Sequence, residues 1–394
     1  MKSLRYLFRI GPGPSSSHTI GPKRACEYIL KLYPNSNKFI VNLYGSLALT
    51  GKGHLTDYII KKTLGEDRTI VNFDINKKVL HPNTFEILAY HDNELLINQL
   101  FISLGGGALS IDNLEEDVYP FKNFYEIKEY CKKENISLKD FVYRFEDKNI
   151  KEYLSLIYDK MCESIHNGLT ASGELPGGLH VLRKAKSLSI NKENESSDIT
   201  RMKKVSSYAY AVSEENASGG TIVTAPTCGS SGVLPAVLYY LQNEKNFSKD
   251  EIIDALAVSS IIGNVIKQNA SISGAFAGCQ AEIGSACSMA SAANSYLNGA
   301  SIDEIEYASE IAMEHHLGLT CDPIKGLVQI PCIERNAVAA LRAMDACLLA
   351  SFLTSSRKIS FDTVVETMYQ TGLDMGKDYK ETSLGGLAKN YHEK

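Results

Sequence analysis

The hydrophobic pattern changes period near residue 112, and that change limits what the chain can fold into. Before it, apolar residues come in short alternating runs such as "NKFIVNLYG" (37–45) and "NELLINQLFISLGGG" (93–107), each closed by glycine. Alternation puts one set of side chains on one face of a strand, so residues 1–112 are expected to form a small α+β domain. From "NFYEIKEYCKK" (123–133) onward the spacing is helical, so residues 113–394 are expected to form a mainly α-helical domain. A chain of 394 residues with 44% hydrophobic content exceeds what one core usually holds, which agrees with a multidomain fold.

Two helices can be placed by residue. In "SIDEIEYASEIAMEHHLG" (301–318), Ser301 and Glu304 form a capping-box pattern, Ile302, Ile305, Ala308 and Ile311 recur at helical spacing, and Gly318 is a stop. The run "RNAVAALRAMDACLLASFL" (335–353) has almost no polar face, which predicts a buried helix with the others packed around it. The polar stretch "SINKENESSDITRMKK" (189–204) reads as a mobile loop.

A net charge of -5 with both signs mixed throughout leaves no footprint for nucleic acid or an anionic membrane. No run approaches the ~18 apolar residues of a membrane span, and "MKSLRYLFRIGPG" has too short an apolar stretch for a signal peptide. A cytoplasmic protein is expected, whose nine cysteines are thiols or metal ligands rather than disulfides.

In "GLTCDPIKGLVQIPCIERNA" (318–337), Cys321 and Cys332 stand beside Pro323 and Pro331. Each proline fixes one backbone dihedral and removes a donor, so a rigid loop presenting two sulfurs is expected, which suits a metal or a redox partner. Cys279 is a third candidate, because Gly274, Gly278 and Gly284 around it would let a bulky inorganic group approach the backbone. Cys26, Cys131, Cys162 and Cys347 lie in periodic helical contexts and read as packing. Cys287 could share a face with Cys279, and Cys228 precedes a glycine-rich turn. Zinc competes, although no C-x-x-C pair exists and His315 and His316 are not at ligand spacing. Spacing alone leaves a thiolate metal site and a set of buried small hydrophobes both open.

Seven motifs then occur in order: "GPGPSSSHTIGPKRA" (11–25), "YGSLALTGKGHLTD" (44–57), "LHPNTF" (80–85), "ISLGGG" (102–107), "GELPGGLHVLRKA" (173–185), "NASISGAFAGCQAEIGSA" (269–286) and "HHLGLTCDPIKGLVQIPCIERNA" (315–337). Together they resemble the iron–sulfur-dependent L-serine dehydratases along nearly the whole chain. The resemblance implies a β-type substrate-binding domain over 1–112 joined to an α-type catalytic domain over 113–394. It also implies a 4Fe-4S cluster held by Cys279, Cys321 and Cys332, no pyridoxal phosphate, L-serine as the small-molecule substrate, and a homodimer.

Dehydration of serine needs a base for the Cα proton and help for a poor leaving group. An iron without a protein ligand would act as Lewis acid toward the hydroxyl. Histidine is the default base, and His18 in "SSSHT" and His54 in "GKGHLTD" both lie in polar turns near glycine, with His54 preferred. Ser15, Ser16 and Ser17 are expected to anchor the substrate carboxylate, with Lys52 and His81 neutralising it or supporting it from behind. Ser103 is a site residue by resemblance alone. The rival readings are the same chemistry on threonine or cysteine, a pyridoxal-phosphate lyase with "GSSG" (229–232) as phosphate cradle, and an amino-acid-binding protein without catalysis.

Overall fold

The alternating segments pair into a five-stranded sheet in the order Thr69–Asp74, Lys38–Tyr44, Thr84–His91, Glu94–Gly105, Ala108–Leu109. The structure is a computed structural model that describes residues 1–114, 116–190 and 194–393. The first two strands are parallel and the rest antiparallel. A parallel pair requires a crossover, which the helices Gly45–Thr50 and Thr56–Leu64 supply. Phe39, Val41, Leu43, Phe85, Ile87 and Phe101 face inward against the helices Gly21–Leu32 and Thr56–Leu64. A slip of one residue would turn that set to solvent, so the alternation sets the register.

Residues 1–12, expected in the small domain, pack instead with the helical part. Met1, Leu4, Leu7, Phe8 and Ile20 join the helical core, and Ile10–Pro12 pairs antiparallel with Thr221–Val223. Buried Glu146 anchors this arm by accepting from Ser3 Oγ at 2.7 Å, Leu4 N at 2.7 Å and Tyr119 Oη at 2.8 Å. Glu146→Ala would leave those donors unpaired, so it should cost roughly 3 kcal/mol, read as a lower denaturant midpoint at unchanged slope.

The rest is mainly helical, and its centre is Ser285–Leu297, in which every residue from Ser285 to Ser295 is buried. Its small side chains let Val233–Lys245, Lys249–Asn269, Ile302–Glu314 and Cys332–Leu353 pack against it. The Ser301–Glu304 capping box forms as expected, opening the helix Ile302–Glu314.

Two further expectations change. The helix Cys332–Leu353 is not the centre: it packs on one side only and leaves Val338, Leu348, Leu349, Leu353 and Phe352 exposed, Phe352 by 76%. After Leu353 the chain turns away to Phe361–Asp374, which packs on Ile302–Glu314 and Lys249–Asn269, so nothing among the described residues covers that outer face. By length and composition this helix could cross a membrane, with a mean hydropathy of 1.4, yet 50% of that window is buried inside the protein.

The second change concerns the expected loop at 189–204. Residues 191–193 lie outside the described residues, but the helix Ser197–Ala217 begins within the stretch, with Ser196 Oγ accepting from Ile199 N. An N-cap and the packing of the later turns outweigh the polarity of the first ones.

Candidate active site

His18 lies in a π-helical turn, Ser16–Ile20, that runs directly into the helix Gly21–Leu32, and it is fully buried. Both ring nitrogens are engaged. Nδ1 lies 3.2 Å from Ser15 Oγ and 3.1 Å from Ser17 Oγ, and Nε2 lies 2.9 Å from Thr50 Oγ1. The Thr50 hydroxyl donates to the Ser46 carbonyl at 2.9 Å, so its oxygen accepts from Nε2–H and His18 Nδ1 accepts from a serine hydroxyl.

His54 follows the helix Gly45–Thr50 and is also buried, its ring 4.3 Å from that of His18. Its Nδ1 lies 3.1 Å from the Thr50 carbonyl, which only accepts. Nδ1 therefore carries the hydrogen and Nε2 presents a lone pair. The adjacent Gly53 is dictated by contact, since a Cβ there would stand 2.6 Å from the Gly326 carbonyl oxygen. This close approach brings the small domain's histidine loop against the cysteine-bearing loop.

Burial lowers both histidines, His54 to about 4, so both are neutral near pH 7. The unfolded chain then binds more protons than the folded one between pH 4 and 6.5, and stability present above 6.5 is lost as pH falls toward 4. His54 alone should account for roughly 3 kcal/mol of that loss, measurable as falling unfolding free energy across this window.

Sequence reasoning missed the third member of the cluster, Glu381. The C-terminal segment returns to the cysteine loop, where Cys321 N donates to Tyr379 O and Glu381 N to Cys321 O, both at 2.8 Å. Glu381 Oε1 then sits 3.7 Å from His18 Nδ1, 3.8 Å from His54 Nε2 and 3.4 Å from Ser15 Oγ. Burial and the Cys279 sulfur push its carboxyl up to about 8. One ligand-type atom from each of His18, His54 and Glu381 falls within a 4.8 Å group. His18 Nδ1 is already bonded to serine hydroxyls, so a metal ion there would have to displace them.

The cysteines adjoin this cluster. Cys279 precedes the π-helical turn Gln280–Gly284, Cys321 lies in the loop tied to Glu381, and Cys332 opens the helix Cys332–Leu353. The thiols of Cys279 and Cys321 share a hydrogen bond, which with the nearby Arg335 guanidinium lowers Cys279 to about 6 against the opposing effect of burial. The same bond, with burial, raises Cys321. Burial raises Cys332, which feels the charges of Cys279, Glu282, Glu381 and Arg335.

Gly274 lets the backbone stand close to one of these sulfurs. A Cβ there would stand 3.3 Å from Cys321 Sγ and 2.5 Å from Glu282 Oε2. Glu282, also missed, is half-buried and accepts from Thr227 Oγ1 at 2.7 Å, and desolvation together with Cys279 raises its carboxyl well above the usual range. Its signal was a single charge inside a run of small residues, three positions after Cys279. Glu381 offered only a polar "KETSLGG" with no spacing to anything known.

The remaining expected residues divide. Ser15 and Ser17 reach His18, Ser16 is buried beside them, and Ser103 is buried with its hydroxyl unpartnered, as is that of Ser273. Lys52 lies outside the cluster, exposed with its ammonium 5.7 Å from the Phe73 ring, because its loop turns His54 inward and Lys52 outward. His81 Nδ1 accepts from Asn83 N at 3.1 Å and shapes the turn before the strand Thr84–His91. Cys287 donates to the Ala339 carbonyl at 3.2 Å between two helices, and Cys228 is buried next to Glu282. The "GSSG" turn is tied down, with Gly232 N donating to Asn336 Oδ1 at 2.9 Å and Gly229 facing the Glu282 carboxyl, a poor neighbour for a phosphate.

Comparison with known proteins shows the family. Residues 3–65 match the serine dehydratase beta chain family, and residues 74–388 match the serine dehydratase alpha chain family. An L-serine dehydratase of Helicobacter pylori strain J99 is 40% identical over 98% of this chain and 98% of its own. L-serine dehydratase 1 of Escherichia coli K12 is 38% identical over 98% and 99%, and an L-serine dehydratase of Streptomyces coelicolor is 38% identical over 98% of each. The chain belongs to the serine dehydratase family, with the beta-chain and alpha-chain parts fused in one polypeptide.

Proposed function

We propose that this protein is an L-serine ammonia-lyase that converts L-serine to pyruvate and ammonia with a 4Fe-4S cluster held by Cys279, Cys321 and Cys332. The observation that carries the reading is the meeting of His18, His54 and Glu381 with Cys279 and Cys321 in one buried place, built from segments far apart in sequence. The names of the full-length relatives support the substrate. A thiol close to ionisation, two further sulfurs and a glycine backbone close against Cys321 suit a thiolate-bound cluster. When bound, the cluster would supply Lewis acidity toward the departing β-hydroxyl.

The chain's own residues supply the rest. His54 Nε2, with its hydrogen held on Nδ1 by Thr50, takes the Cα proton. His18 is a positioning residue that orders the hydroxyls of Ser15 and Ser17, which with Ser16 and the unpartnered Ser103 receive the substrate carboxylate. Lys52 and His81 act from outside this shell, Lys52 on the approach and His81 through its turn. Loss of water leaves an aminoacrylate, which tautomerises and hydrolyses to pyruvate and ammonia.

Glu381 is protonated below about pH 8 and so acts as a neutral hydrogen-bonding group. Glu381→Gln should therefore keep most of kcat/KM below that pH, whereas Glu381→Ala should lose about tenfold or more, read from the two pH profiles.

Pyruvate release from L-serine by anaerobically purified protein, with L-threonine and L-cysteine run beside it, tests the function. No release from any of the three would sink it. A broad brown absorption labile to air is expected, with activity restored by ferrous iron and a reductant, and a sharp yellow aldimine band would instead favour pyridoxal phosphate. The proposal includes a cytoplasmic homodimer divided near residue 112. The exposed apolar strip on Cys332–Leu353 is the surface a second copy would cover.

A further inference from the structure

We infer that the seam between the small sheet and the helix Lys249–Asn269 holds a binding site for a small oxyanion, a carboxylate or a phosphate. A cavity of about 240 Å³ lies there, lined by Tyr6 and Arg9 of the N-terminal arm, Leu104 and Asp112 of the small domain, and Asn264 and Lys267 of the helix. Its cations outnumber the carboxylates free to meet them. Asp112 is already taken, accepting from Arg24 Nη1 at 2.7 Å and Nη2 at 2.9 Å, from Leu109 N at 3.0 Å and from Arg9 Nη2 at 3.4 Å. Asp117 lies against the N-terminal ammonium at 3.7 Å and Lys2 at 3.4 Å.

Lys267 is left over. Its Nζ donates to the Tyr6 carbonyl at 2.7 Å, an oxygen that also takes Arg9 Nη1 at 2.8 Å, and it has no carboxylate partner among the described residues. An ammonium has three donors, and holding one half-buried in this seam without a counter-charge is costly. Burial, with Arg9 and Arg24 nearby, lowers it to about 7, the behaviour of a cation short of an anion. An oxyanion in the cavity would answer both deficits, accepting the spare donors and balancing the charge.

The seam also adjoins the proposed active site. Arg9 Nη1 donates to Gly106 O at 2.9 Å and Arg24 Nη1 to Gly107 O at 2.8 Å, in the turn that follows Ser103. On its other side that turn meets Ser273, 3.1 Å from where a Cβ on Gly105 would stand. None of the cavity's residues belongs to the histidine and cysteine cluster, so the site can be tested apart from catalysis.

Calorimetric titration of the full chain with sodium phosphate and, separately, sodium acetate, at constant ionic strength, tests the inference. Saturable binding of at least one anion to the wild type is expected, weakened about tenfold or more in Lys267→Met and nearly retained in Lys267→Arg, since a charged hydrogen bond is worth about that factor. Binding of phosphate alone assigns a phosphate site, and binding of acetate alone a carboxylate site. No saturable binding of either below about 50 mM in the wild type, or equal binding in Lys267→Met, overturns it. The wild-type titration decides even if the Met variant does not fold.

Discussion

Cys279→Ala, Cys321→Ala and Cys332→Ala should each lose most of the cluster absorbance and the lyase activity together, because a cubane left with two protein thiolates has neither the charge balance nor the geometry to persist. The structure adds an order to the three. Cys279 is the thiol nearest ionisation, held there by Cys321 and Arg335, so its loss removes the ligand that needs no further deprotonation at neutral pH. Cys287→Ala should keep its iron, since that thiol is spent on the Ala339 carbonyl, and should cost only packing energy of about 1 kcal/mol. Cys228→Ala should keep its iron too, because the Cys279 sulfur acts on Cys321 and Cys332, whereas the charge acting on Cys228 is that of Glu282. Iron content and visible spectra of the anaerobically purified variants check this. If Cys228→Ala or Cys287→Ala loses the cluster while one of the three named cysteines proves dispensable, the ligand set is wrong.

His54→Ala should lower kcat by roughly 10²–10⁴ with the cluster spectrum intact, the usual span for removing a general base. The assignment rests on hydrogen-bond accounting rather than on ring position. His54 Nδ1 meets a carbonyl, so Nε2 is free to accept a proton, whereas both nitrogens of His18 are engaged by Ser15, Ser17 and Thr50. His18→Ala should accordingly release the serine hydroxyls and act mainly on KM. Steady-state kinetics on both variants separate the roles: a kcat loss confined to His18→Ala would exchange them, and full activity in both would remove histidine from the mechanism.

Much of the fold could be read directly. Period-two runs over 38–44 and 94–105 formed strands, and the Ser301–Glu304 cap opened its helix, because these signals act within a few residues. Polarity misled at 197–204, where one N-cap and distant packing hold a helix that composition argues against. Apolar content misled at 332–353, since an all-round apolar helix reads alike whether its outer face meets another helix or is left bare. In the site, His18, His54 and the serines were legible as polar residues in glycine-rich turns, while Glu381 was not, because a lone glutamate near the C-terminus has no local mark of burial.

What the sequence by itself determined, then, was the chemistry on offer: two histidines in polar turns, a serine triplet, and three cysteines in segments whose prolines and glycines restrict the backbone. Those are local properties, set by residue type and the dihedral angles each allows. Only the tertiary structure decided which of them share a volume. The antiparallel seating of residues 10–12 on 221–223, the return of residue 381 onto Cys321, and the contact of Gly53 with Gly326 are pairings across long sequence separations. From those pairings come the neutral histidines, the lowered Cys279 and the protonated Glu381, because burial and neighbouring charge, which shift a side chain's proton affinity, exist only once distant segments have met.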